Sequence, residues 1–168
     1  FLKHSRLHFD VLMVVLPDPT TASLNRFYTS GFFSEVADAM NRGAVMLTGM
    51  TSSEAYMGGA MRLATASVYD SLRAVFADTL IVPGERLLLL ASNGRGRLSR
   101  DWRTLAQRLS RRHLRCKFVT SHWLEDTFLP FRRQMALSSM RHQREVRANE
   151  DLTPVAYHYQ MTLWLEQM

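Results

Sequence analysis

The sequence predicts an α/β fold whose sheet closes with an antiparallel hairpin, on three observations. Six apolar residues, Val11 to Leu16, follow Asp10 and stop at Pro17, the pattern of a strand covered on both faces of a parallel sheet. Apolar segments of helical spacing then alternate with strand-sized apolar runs, as α/β layers require. Pro83-Gly84 stands directly between two apolar runs, too short a link for a crossover, so those strands turn back on one another.

The first strand, residues 11–16, ends at Pro17-Asp18-Pro19. Proline on both sides stiffens the backbone around the carboxylate. Ligands of open α/β sheets bind just beyond the carboxyl ends of the strands, which makes Asp18 the first candidate for chemistry; the same tripeptide also suits a plain turn. Thr29 or Ser30 can cap a helix of about a dozen residues in which Phe32, Phe33, Val36, Ala37 and Met40 recur at helical spacing, and Asn41-Arg42-Gly43 ends it. Residues 44–50 form a second strand leading into the polar loop Thr51-Ser52-Ser53-Glu54. A helix over residues 60–76 gathers Leu63, Val68, Leu72, Val75 and Phe76 on one side, and residues 78–82 and 86–92 supply the third and fourth strands. The expected order across the sheet is first, second, fourth, third.

Asn93-Gly94-Arg95-Gly96-Arg97 reads as a linker, so the chain divides into a sheet domain over residues 1–93 and a basic, mainly helical extension over residues 94–168. In the extension, residues 99–112 suit an amphipathic helix with Trp102, Leu105, Ala106 and Leu109 inward. Residues 116–120 form a candidate short strand, and Ser121 caps a helix carrying Trp123, Leu124, Phe128 and Leu129 until Pro130 bends or ends it. Helix is expected again over residues 132–146, then a turn over residues 149–154 and an aromatic amphipathic tail with Tyr157, Tyr159 and Trp164.

Composition excludes several classes. With 46% hydrophobic and 21% charged residues over 168 positions, the chain can bury a real core and is not a disordered protein. A lone cysteine, Cys116, leaves no disulfide framework or cysteine metal site and fits a reducing compartment. Histidines 4, 8, 113, 122, 142 and 158 show no ligand spacing, so no metal is expected. No apolar run approaches the roughly 18 residues of a membrane span. Ser52 and Ser53 lack a glycine elbow, which argues against a serine hydrolase. The chain opens on Phe1 without a signal layout and reads as a piece of a longer protein.

Phe9-Asp10-Val11, the hydrophobics after it, Asp18-Pro19, Phe27-Tyr28-Thr29, Phe32-Phe33, Gly43 and the loop from Thr51 resemble the carboxyl-terminal half of a spermidine synthase, the polyamine aminopropyltransferase family. The likeness covers residues 1–93 and is closest to bacterial proteins that fuse such a domain to membrane helices; Pro154-Val155-Ala156-Tyr157 and Leu163-Trp164 are similar to their tails. It implies a Rossmann-like sheet of the S-adenosylmethionine-dependent methyltransferase class. It also implies aminopropyl transfer from decarboxylated S-adenosylmethionine to a polyamine or other amine, with that nucleoside or S-adenosylmethionine itself as co-substrate and no metal.

In the family an Asp-x-x-Asp-Pro motif follows the strand: the first aspartate helps deprotonate the amine and the second holds it. The second aspartate matches Asp18 with Pro19, and the resemblance makes Asp18 the catalytic candidate, with Pro19, Thr20, Tyr28 and Glu54 beside it at the amine. The first aspartate falls on Val15, which cannot accept a proton. The family's glutamine after the next strand falls near Gly49, and only Pro83-Gly84 remains of its Pro-Ser-Gly turn. The glycine-rich loop and ribose-binding acid that hold the nucleoside have no counterpart, since Gly94-Arg95-Gly96 follows the last strand. The departures keep two alternatives open: a non-catalytic nucleoside- or polyamine-sensing domain of a membrane protein, and a methyltransferase on another acceptor.

Between Arg95 and Lys117 nine basic residues face one acid, Asp101. Such a run is an ordinary solvated face or, given the resemblance, a surface for an anionic membrane. Nucleic acid is disfavoured because Trp102 shares its helical face with Leu105 and Leu109. The expected location is the cytoplasmic face, tethered to the inner membrane through segments outside this chain.

Overall fold

A computed structural model describes residues 7–52, 58–141 and 146–166. Four strands, β1 (Phe9–Met13), β2 (Met40–Thr51), β3 (Asp78–Val82) and β4 (Arg86–Ser92), form one mixed sheet in the order β1-β2-β4-β3. β1 runs parallel to β2, while β4 is antiparallel to both β2 and β3. The expected strand order and closing hairpin are therefore present in an α/β fold. The helices are α1 (Ala22–Asn25), α2 (Ser30–Asp38), α3 (Gly59–Val75), α4 (Trp102–Arg111), α5 (Ser121–Thr127), α6 (Pro130–Arg141) and α7 (Val155–Glu166), with a 3-10 turn at Arg26–Tyr28.

Strand alternation sends successive side chains to opposite faces, and the two faces of this sheet are unequally covered. On one, Met46, Met50, Leu87, Leu89, Ala91 and Ile81 pack with Phe33 and Val36 of α2, Ala64, Val68 and Leu72 of α3, and Ala156 of α7. On the other, Leu80 and Val82 are buried under Leu98, with Phe128, Val45, Leu88 and Leu90 at the margin. That cover does not reach β1 and the residues just after it, where Val11, Met13 and Val15 stand 62%, 61% and 73% exposed. The first strand is thus not covered on both faces as its apolar run suggests. Among the described residues it lies at the sheet edge, paired with β2, and Leu12, Val14 and Leu16 turn toward the packed side.

Other boundaries depart from expectation for local reasons. α2 stops at Asp38, and the Phe9 N–H takes the Ala39 carbonyl at 2.9 Å, so Asn41-Arg42-Gly43 enters β2 rather than ending the helix. Gly43 adopts φ +77, a conformation glycine supplies at low cost, and its N–H donates to Asn93 Oδ1. Residues 116–120 are exposed and irregular, not a strand, and join none of the four strands of the sheet. Thr120, not Ser121, caps α5 through its hydroxyl. Pro130 begins α6, where a missing N–H costs nothing.

Residues 146–166 return to the packed face. Buried Asn149 donates from Nδ2 to the Tyr28 carbonyl, accepts the Ala156 N–H at Oδ1, and exchanges backbone bonds with Ser71 Oγ, while its carbonyl takes the Ser30 N–H. Asn25 Oδ1 accepts the Tyr157 N–H and Asp151 accepts the Thr29 hydroxyl. α7 is thereby fixed against α3 through polar groups that would be costly to bury unpaired. No helix among the described residues is long and apolar enough to cross a membrane.

Candidate functional site

The carboxyl ends of the parallel pair β1 and β2 carry the densest polar arrangement near the sequence candidates. β1 delivers the chain to Pro17-Asp18-Pro19, with Pro19 buried and Asp18 half-buried. Asp18 accepts the Thr51 N–H on both carboxylate oxygens, at 2.9 and 3.2 Å. The bond joins the loop after β1 to the last residue of β2.

Tyr28 lies beneath this loop, placed there by the 3-10 turn between α1 and α2 and fully buried. Its hydroxyl donates to the Pro17 carbonyl at 2.8 Å and the Leu16 carbonyl at 3.2 Å. Burial, and then the negative charge of Asp18, push its pKa up to about 12, with Arg86 and Thr48 opposing in part. Tyr28 is therefore a protonated donor at neutral pH and not a general base. The Thr48 hydroxyl, buried on the same side, has no partner at hydrogen-bond geometry.

Arg86 completes the group and was not singled out by the sequence. It opens β4 directly opposite Thr51, and its Nη2 donates to the Leu16 carbonyl at 2.6 Å and the Gly49 carbonyl at 3.0 Å. A Cβ on Gly49 would meet Arg86 Nε at 3.2 Å and the Leu87 carbonyl at 3.0 Å. The guanidinium thus occupies the space in which a side chain at position 49 would begin. A signal existed: Arg86 is the only charged residue in Arg-Leu-Leu-Leu-Leu-Ala-Ser, and the hairpin register carries it to the end of β2.

The other sequence candidates divide. Asp18 and Tyr28 come together, Pro19 is buried beside them in sequence, and Thr20 is exposed, its N–H returned to the Asp18 carbonyl at 2.7 Å. Glu54 lies outside the described residues. Val15 is exposed with the outer apolar face. His8, His113, His122 and His158 are exposed; His4 and His142 lie outside the described residues. No group of three or more His, Cys, Asp or Glu that could hold a metal occurs among the described residues.

A second charged group fixes the linker instead of forming a site. Asp78, buried at the start of β3, accepts the Leu98 N–H at 3.0 Å and Arg100 Nη2 at 2.9 Å. Burial alone would raise its pKa, but these bonds and the Arg100 charge hold it below the usual carboxylate value. The arginines of α4 and its exit, Arg108, Arg111, Arg112 and Arg115, are exposed.

Neither a scan against models of known protein families nor a search of curated proteins finds a match to this chain.

Proposed function

We propose that this chain is the amine-side half of a spermidine-synthase-like domain of the methyltransferase class, in which Asp18 receives the acceptor amine. The observation that carries the reading is the Asp18 carboxylate held on the Thr51 N–H beyond two parallel strand ends, where ligands of α/β sheets bind. The mixed sheet order β1-β2-β4-β3 is compatible with it. In aminopropyl transfer the amine nitrogen attacks the carbon beside the donor's sulfonium, the carbon–sulfur bond breaks toward sulfur, and the nitrogen sheds a proton. Asp18 would orient the amine by a charge-assisted bond. Membrane apposition through Arg108, Arg111, Arg112 and Arg115, and a tether outside this chain, belong to the same proposal.

A second reading, a binding or sensing domain without transfer, is favoured by two observations. Val15 stands exposed in the place of the family's proton-accepting aspartate, and Tyr28 keeps its proton to about pH 12. Titration calorimetry of the full-length protein with a decarboxylated nucleoside, its carboxylated form and a polyamine panel separates the two readings. Asp18→Asn should weaken amine binding by about 1.5–3 kcal/mol, the range for hydrogen bonds to charged groups. Unchanged affinity in that variant removes the amine assignment. Transfer that rises in Val15→Asp supports the enzyme; a variant that binds both ligands and stays inert supports the sensor.

A further inference from the structure

We propose that the ligand of this site is an amine that also bears a carboxylate, an amino-acid-like zwitterion, rather than a bare polyamine. The proposal rests on the amine reading of Asp18 above and adds Arg86 to it. Thr51 and Arg86 are cross-strand partners at the same end of β2 and β4, which places their Cα atoms about 5 Å apart. Asp18 hangs on the Thr51 N–H, and Arg86 Nη2 binds the carbonyl of Leu16, two residues before Asp18. A carboxylate and a guanidinium therefore stand over the same two strand ends, and the buried Tyr28 hydroxyl feels both charges.

The two charges do not consume one another: among the described residues no ion pair within 4.0 Å joins Asp18 to Arg86. Each also keeps bonding capacity. Asp18 shares a single Thr51 N–H between its two oxygens, where a carboxylate accepts about four hydrogen bonds. Arg86 spends Nη2 on the Leu16 and Gly49 carbonyls and lies within hydrogen-bond reach of the Tyr28 hydroxyl, out of the five N–H donors of a guanidinium on an exposed side chain. Those two carbonyl bonds also hold the guanidinium in position, so little ordering remains to be done on binding.

A polyamine meets this arrangement badly. With one ammonium on Asp18, its second stands beside a fixed like charge. A carboxylate in that place finds the donor that suits it best.

The test is calorimetry on the full-length protein with glycine, 4-aminobutanoate and 5-aminopentanoate against 1,4-diaminobutane and pentanoate. One zwitterion should bind roughly tenfold or more tightly than the diamine and the plain acid, as opposite signs of one charge–charge interaction require. Arg86→Gln should erase that preference by lowering zwitterion affinity and raising diamine affinity, while Arg86→Lys should keep part of the preference. Melting temperatures show whether loss of the carbonyl bonds unfolds either variant, in which case the wild-type ranking decides. A diamine that equals or exceeds every zwitterion, while Asp18→Asn still weakens it, overturns this proposal and leaves the amine reading standing. Absence of any amine binding, or indifference to Asp18→Asn, overturns both.

Discussion

The two faces of the sheet are built from the same kind of residue and end in different states. Met46, Leu87, Leu89 and Ile81 on one face are buried under α2, α3 and α7. On the other, Leu80 and Val82 are covered by Leu98 near the hairpin, while Val11, Met13 and Val15 at the opposite edge meet solvent. The difference teaches that a continuous apolar run reports demand for cover, not its presence. Among the described residues β1 also presents an unpaired strand edge next to that surface, a combination that favours association.

The contrast can be broken most sharply by truncating one residue on each face. Leu89→Ala on the packed face should cost about 2–5 kcal/mol, the range for core leucines. Met13→Ala on the open face should stay within about 0.5 kcal/mol, as for surface changes generally. Paired urea melts check this, and equal losses would mean that the open face is covered in solution. Next in size is the clamp that holds cover over the hairpin end. Asp78→Asn should cost about 1.5–3 kcal/mol, since it weakens bonds to an ionised acceptor.

The Asp78 contribution should also depend on pH in a definite direction. The folded-state pKa lies below the ordinary 3.8, so the folded form binds its proton less readily than the unfolded chain. The stabilisation is complete above that ordinary value and fades as pH falls below it, through the lower folded-state value. Asp78→Asn should remove this portion of the acid dependence; a variant whose acid melt parallels the wild type would deny the clamp its role.

Smaller in stability but visible in association is the open face itself. Val11→Lys with Val15→Lys should suppress oligomers in light scattering at nearly constant melting temperature. A wild type that is already monodisperse and monomeric would show that this face needs no partner. The least effect on folding should come from replacing Arg108, Arg111, Arg112 and Arg115 by glutamine, because all four are exposed. Binding to phosphatidylserine vesicles should nevertheless fall, by about 1 kcal/mol for each arginine close to the surface. Equal binding by the variant leaves them a solvated face.

What the sequence made legible follows from where its signals are local. Pro83-Gly84 punctuates the chain so sharply that β3 and β4 begin and end where the apolar runs do. Asp18 was legible because two prolines isolate a carboxylate after a strand. Arg86 was not, since its place depends on the β2–β4 register, a pairing between residues far apart in sequence. The exposure of Val11, Met13 and Val15 escaped for a related reason: Val-Leu-Met-Val-Val-Leu has no alternation from which to read an open side. The strand expected over residues 116–120 failed because β-propensity by itself, without pairing into the sheet, carries little weight.

Asn149 has a consequence in time as well as in space. Its side chain holds the carbonyl of Tyr28, 121 residues earlier, and Ser71, 78 residues earlier, is tied to its backbone. Contacts of such separation form late, after the loops between them have closed. During synthesis, then, β1 and β4, whose ends carry Asp18 and Arg86, can both pair with β2 as soon as β4 has emerged. The turn that seats Tyr28 beneath them waits for residues 149–156 to leave the ribosome.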